Sequence, residues 1–188
     1  MRIVGGKFKG RAIRTPDGRN TRPTSDRARE AVFNVLAHAA WAPPIEGARV
    51  IDAFAGSGAL GLEAMSRGAA FCLFVETDSA ARGCIRDIVE AFQLFGVTRI
   101  HRRSATDLGP KPAGLGQPFD LVFLDPPYVL NLVPPALAQL LGGGWITPNA
   151  LVVAETSAAE PRPATPDWDV LDERDYGAAR ISFLRARS

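Results

Sequence analysis

The chain has 188 residues, 46% hydrophobic and 22% charged, with a formal net charge of +2. That is enough for one domain with a real core, and no apolar run approaches the roughly 18 to 20 residues of a membrane span. Cys72 and Cys84 lack CxxC spacing and read as reduced, buried thiols of a cytoplasmic protein. His38 and His101 are isolated and read as structural, and no cluster has metal-ligand spacing. The start, MRIVGGKFKGR, has no signal-peptide apolar region.

Charge is unevenly distributed. Residues 1–30 hold nine basic side chains against three acidic ones, a balance of +6, so the other 158 residues carry −4. A basic arm on a slightly acidic body points to a polyanionic partner, with a solvated terminus as the bland alternative. Arginine outnumbers lysine, which favours bidentate phosphate contacts and base stacking. Arg2, Lys7, Lys9, Arg11, Arg14 and Arg22 are the candidate RNA-binding residues.

Residues 2–15 read as two short strands around Gly5, Gly6 and Gly10, a hairpin or extended arm. On this reading residues 1–23 form an N-terminal appendage and residues 24–188 the main domain. A polar loop with turn chemistry at Asp17 and Gly18 leads to a helix N-capped by Thr24 or Ser25. Its apolar stripe is Ala28, Val32, Phe33 and Leu36. Arg27 and Arg29 either line a ligand pocket or pair with Glu30 or Asp26 on the helix surface. Strands are expected at 49–54, 70–76, 98–103, 119–124 and 150–155, and helices at 59–66, 79–94 and 132–141, the last with proline in its first turn. This alternation predicts a parallel sheet with helices on both faces. Residues 109–116 read as a loop, and residues 168–187 as an antiparallel hairpin around Gly177.

Residues 49–61, RVIDAFAGSGALG, are a strand running into a glycine-rich turn and then a helix. The N–H groups of such a helix start favour a negatively charged or carboxylate-bearing ligand. Glu76 ends the next strand, 20 residues after Gly56, where a carboxylate can accept from ribose hydroxyls. The first unit therefore holds a nucleoside. Gly56, Gly58 and Gly61 fit the dinucleotide spacing G-x-G-x-x-G, but Asp52 just before the turn would repel a pyrophosphate. An acid there suits the ammonium of a methionine-like tail, which favours S-adenosylmethionine over NAD. Asp107 is a candidate for holding the adenine or for capping a helix.

Residues 121–128, LVFLDPPY, are a buried strand stopped by two prolines. Such a loop, at the carboxyl end of a strand, presents a carboxylate, fixed carbonyls and an aromatic ring. Asp125 and a proline carbonyl can accept the protons of an exocyclic amine while Tyr128 stacks on the ring. Glu155 ends a later strand on the same side, to touch the base or cap a loop. Planar amines also occur on DNA adenine N6 and the protein glutamine amide. An NAD-dependent oxidoreductase lacks an evident catalytic His or Tyr-Lys pair here, and a non-catalytic RNA-binding module would not need both motifs.

The Asp-x-Phe-x-Gly-x-Gly turn followed by Asp-Pro-Pro-Tyr resembles methyltransferases acting on amino groups of bases. RIVGGKFKGR and RPTSDRAREAVFN resemble the RsmD family of 16S ribosomal RNA guanine-N2 methyltransferases, over nearly the whole chain. The resemblance implies a Rossmann-like class I methyltransferase sheet ending in an antiparallel hairpin, with S-adenosylmethionine as cofactor. It implies a donor site of Asp52, Phe54, Gly56, Ser57, Gly58, Glu76, Asp78 and Ala105, and a catalytic loop of Asp125, Pro126, Pro127 and Tyr128. It further implies 16S rRNA within the small ribosomal subunit as partner; nothing in the sequence suggests an obligate interface or a metal, so a monomer is expected.

Overall fold

The computed structural model describes residues 1–16, 26–128 and 130–188. Thr24, Ser25, Asp17, Gly18 and Arg22, to which the sequence assigns a cap, a turn and a phosphate contact, lie outside the described residues. The elements are α1 (Asp26–His38), β1 (Arg49–Ala53), α2 (Ala59–Ser66), β2 (Phe71–Val75), α3 (Ser79–Ala91), β3 (Thr98–His101), β4 (Phe119–Leu124), α4 (Val133–Gly142), β5 (Ile146–Ser157), β6 (Trp168–Tyr176) and β7 (Ala179–Ala186). A single 3-10 turn, Ala113–Leu115, interrupts the expected loop. No helix among the described residues is long and apolar enough to cross a membrane.

The strands form one seven-stranded sheet in the order β3-β2-β1-β4-β5-β7-β6. β3, β2, β1, β4 and β5 are parallel, and the closing β6–β7 hairpin is antiparallel. Side chains alternate across a strand, so each strand feeds two cores. Val50, Phe74, Leu121, Phe123 and Val153 face α1, α2 and α3, whereas Ile51, Leu73, Val122 and Val152 face α4 and Trp145. Phe33 of α1 sits on Phe123 of β4 with ring centres 5.5 Å apart. Gly61 lets α2 press against β2: a Cβ there would lie 2.6 Å from both Cys72 Sγ and Phe74. Cys72 is buried, but Cys84 is only partly so, because the α3 face that carries it is not the one turned to the sheet.

The N-terminal arm is the expected hairpin only in part. Its two halves pair through one antiparallel bridge, Arg2 with Ala12, and through Ile3 N–H to the Arg11 carbonyl at 2.9 Å and Ile13 N–H to the Met1 carbonyl at 2.8 Å, but no continuous strands form, and Gly6 and Gly10 turn at φ 77° and 85°. The reason lies in where its backbone donors go. Val4 and Gly5 N–H donate not to a neighbouring strand but to the Glu63 carboxylate on α2, each at 2.9 Å. Lys7 N–H donates to the Ser66 carbonyl at 2.7 Å and Phe8 N–H to Ser66 Oγ at 2.8 Å. Ile3, Phe8 and Ile13 are buried in the same core as α1, α2 and α3, and Phe8 stacks on Phe92 at 4.5 Å.

Arg29 differs as well. It neither pairs at the helix surface alone nor lines a pocket. Its guanidinium is fully buried, 3.2 Å from Glu63 and 2.9 Å from Asp26, and it also donates to the Arg2 carbonyl. Arg67 adds a second cation on Glu63, at 3.0 Å. A buried carboxylate costs heavily unless it is paired and hydrogen-bonded. Glu63, with two guanidinium and two backbone donors, meets both conditions and ties the arm to the body.

Candidate functional site

The order of the sheet reverses between β1 and β4, and in open α/β sheets the carboxyl ends of the strands at that point form a ligand crevice. Here they open a cavity of about 670 Å³, within the size range of small-molecule sites. Phe54, Gly56 and Ser57 of the glycine turn line it, as do Asp52, Glu76, Asp78 and Ala105. Asp125, Pro126, Pro127 and Tyr128 form another part of the same wall. The two motifs found 73 residues apart in the sequence, at Asp52 and Asp125, thus face one space. Gly58 is not in the wall. It turns the chain into α2 with φ 79°, where a Cβ would crowd Phe74 and Ile85. Asp107 is exposed and outside the wall, and no helix begins there for it to cap.

The glycine turn is built differently from a pyrophosphate cradle. Phe54, Gly56 and Gly58 all have positive φ, so the backbone switches hand at every second residue. The Gly56 N–H donates to Glu76 Oε1 at 2.7 Å, and the Gly61 N–H donates to Asp52 Oδ2 at 2.9 Å. Glu76 Oε2 accepts from the Asp78 N–H at 2.8 Å, and Asp78 caps α3 through the Ala81 N–H at 2.8 Å. Two of the fingerprint glycine donors are therefore already held by carboxylates. Glu76 first organises the turn, and its remaining lone pairs are what it can offer a ribose.

The cavity is acidic. Asp52 is fully buried, and burial above all pushes its carboxyl well above the usual range. The Gly61 N–H bond opposes this, while the fields of Asp125 and Glu76 add to it. Such a site favours a ligand carrying positive charge beside Asp52. The sign for stability follows. Asp52 takes up a proton on folding between its unfolded value near 3.8 and its raised folded value, so stability falls as pH rises through that window. Asp52→Asn keeps an acceptor for Gly61 and removes the charge. It is expected to stabilise the ligand-free protein at neutral pH by about 0.5–2 kcal/mol, read as a rise in Tm that disappears under acidic conditions. A lower Tm at neutral pH would show that Asp52 is not a strained group.

The acceptor loop leaves β4 at Leu124. Pro126 is buried and Pro127 exposed, so the loop is rigid and anchored on one side. Sequence reasoning left Glu155 unassigned; it lies in the cavity wall near Asp125 and is 7% exposed. Thr15 and Pro16, at the end of the arm, and Arg103, after β3, also line the cavity and were not anticipated. No local pattern marks them, because their placement depends on docking of the arm and on strand order.

Of the basic residues proposed for RNA, Lys7, Lys9 and Arg11 are exposed on the arm, and the Arg11 guanidinium lies 4.4 Å over the Phe92 ring. Arg2 donates to the Gly10 carbonyl at 2.6 Å, and Arg14 pairs with Asp87 at 3.7 Å, both at the surface. The arm thus presents its cations from a fixed backbone rather than a loose tail.

A family model described as conserved hypothetical protein 95 matches residues 1–185. Ribosomal RNA small subunit methyltransferase D of Escherichia coli K12 is 35% identical over 178 residues, covering 94% of this chain and 85% of the relative. The protein of the same name from Haemophilus influenzae is 34% identical over 179 residues, covering 94% and 89%. The solved structure of yhhF from Escherichia coli superposes with a TM-score of 0.81 at 34% identity, covering 100% of this chain and 98% of that one.

Proposed function

This chain belongs to the conserved hypothetical protein 95 (RsmD) family, and on that premise we propose that it is an S-adenosylmethionine-dependent methyltransferase of 16S rRNA, acting on the N2 of a guanine within the small ribosomal subunit. The observation that carries this reading is the shared cavity. An acid-lined donor half at β1 and β2 and a carboxylate-Pro-Pro-aromatic half at β4 meet in one space. A methionine-like ammonium fits beside the desolvated Asp52, and ribose hydroxyls fit the spare lone pairs of Glu76. When bound, the donor supplies an electrophilic methyl group on a sulfonium that leaves as a neutral thioether.

The chain's own residues do the rest. A target base is taken from its stack into the cavity, since an amine within a helix is not open to in-line attack. Tyr128 supplies a stacking face. Asp125 and the Pro126 carbonyl accept the two N2 protons and so turn the nitrogen lone pair toward the donor half. As the new N–C bond forms, positive charge develops on N2, and the Asp125 carboxylate stabilises it before the surplus proton leaves. Positioning is the larger contribution, and fixed prolines and a buried strand end are suited to it.

The basic arm holds rRNA phosphates on this reading. Replacing Lys7, Lys9 and Arg11 with Ala is expected to raise KM for the particle and reduce the slope of log affinity against log salt by about two to three. An unchanged slope would remove the arm from the RNA interface.

The direct test is methyl transfer from labelled S-adenosylmethionine to undermethylated small subunits, with naked 16S rRNA and duplex DNA in parallel, followed by nucleoside analysis. Label in N2-methylguanosine from particles and not from DNA is expected. Label in N6-methyladenine would overturn the acceptor, and donor binding without transfer to any of the three would overturn the rRNA substrate.

A further inference from the structure

We propose that Glu155 reads the Watson–Crick edge of the target base beside Asp125 and so makes the site selective for guanine; the proposal rests on the guanine-N2 reading above. β4 and β5 are parallel neighbours, with Leu124 opposite Ala154. The next residues, Asp125 and Glu155, therefore leave adjacent strands at the same level. Glu155 is pinned from its other side too, where it stands opposite Ile181 of β7. Its backbone is thus fixed between two strands at the point where Asp125 begins the acceptor loop. Glu155 is 7% exposed and lines both the main cavity and an adjoining groove, whose walls it shares with Pro126, Pro127, Tyr128 and Leu132.

Two carboxylates side by side match one base edge in particular. Guanine places the N1–H donor directly beside its N2 amino group, so a row of donors faces outward. Adenine and cytosine place an acceptor nitrogen beside their amino groups. A carboxylate has only acceptor sites when ionised. With Asp125 on the amine, Glu155 beside it can accept from guanine N1–H, but it would oppose the lone pair of adenine N1 or cytosine N3. A buried polar group left facing the wrong partner discriminates far more strongly than a change of shape.

The test uses small subunits reconstituted with 16S rRNA carrying either guanosine or 2-aminopurine riboside at the methylated position. The analogue keeps the amine but has an acceptor at N1. The wild-type protein is expected to prefer guanosine by at least about 100-fold in kcat/KM. In Glu155→Gln the side-chain amide can donate to N1 of the analogue. The same amide can turn its oxygen to guanine N1–H, so this variant is expected to keep part of its rate on guanosine while gaining on the analogue, and its preference should collapse to below about tenfold. Binding of S-adenosylhomocysteine should stay within about threefold, showing an intact donor half. A preference unchanged from the wild type, whether through equal losses on both bases or through no change on either, would overturn the role of Glu155. Should Glu155→Gln fail to bind the donor product, Glu155→Asp serves instead. Its shorter reach should lower transfer to guanosine and leave the analogue unchanged, and parallel losses would again refute the idea. Failure of the parent reading is separate, because it shows in the wild-type protein as label outside N2-methylguanosine.

Discussion

Asp125→Ala is expected to lower kcat for methyl transfer at least about 100-fold while leaving the Kd for S-adenosylhomocysteine within about threefold. Removing one preorganised group that meets developing charge costs on the order of 10² to 10³ in rate. Donor affinity should survive because Asp125 is not what holds the donor half together. The turn there is tied by Glu76 to Gly56 and by Asp52 to Gly61. Asp125 even disfavours the charged form of Asp52, so its removal eases the donor site. Asp125→Asn retains a carbonyl acceptor and should fall between the variant and the wild type. Single-turnover kinetics with saturating donor separate the two effects. Activity within about tenfold of the wild type in Asp125→Ala would remove Asp125 from the reaction.

Glu63→Ala is expected to destabilise the protein by about 3–5 kcal/mol, the usual loss when one partner of a buried ion pair is removed. For a chain of this size that is a fall in Tm of roughly 6 to 20 °C. The change removes the buried carboxylate partner of Arg29, which already has one unpartnered nitrogen, leaving it the partly exposed Asp26, and it orphans the N–H groups of Val4 and Gly5. Pairing it with Arg29→Met should recover part of the loss by removing a buried charge left with Asp26 as its carboxylate partner, but not the two backbone donors. Chemical denaturation of the single and double variants measures both. A loss below about 1 kcal/mol in the single variant would mean that the arm docks without the Glu63 carboxylate.

Much of the body was legible because its signals are local. α2 falls on the expected residues 59–66, since the glycine turn before it and Gly68 after it punctuate an apolar run. Asp52 and Asp125 were legible for a similar reason: Asp52 stands one residue before the end of β1 and its glycine turn, and Asp125 directly after β4 and before two prolines. β5 was read too short. Thr147, Pro148 and Asn149 look like a turn, yet the strand already begins at Ile146, opposite Phe119. The arm was only half legible: its glycines do mark self-pairing, as the Arg2–Ala12 bridge shows, but the Val4 and Gly5 donors find Glu63, some 58 residues away. Arg29 was half legible: its pairing with Asp26 is local, but its burial depends on Glu63 of another helix, which no local pattern shows. Glu155 stayed unassigned for a related reason: its nearness to Asp125 comes from the order of strands in the sheet, which no run of residues spells out.

The placement of β7 has a consequence for assembly. Although it follows β6 in the chain, it is an interior strand, seated between β5 and β6. Until the hairpin arrives, the apolar stretch of β5 from Leu151 to Ala154 presents an unpaired edge, the kind of surface that recruits other chains and aggregates. The strand carrying Glu155 is therefore completed only when the hairpin docks. Substitutions that weaken the β6–β7 turn at Gly177 should reveal themselves as insoluble material during expression rather than as a sluggish soluble enzyme.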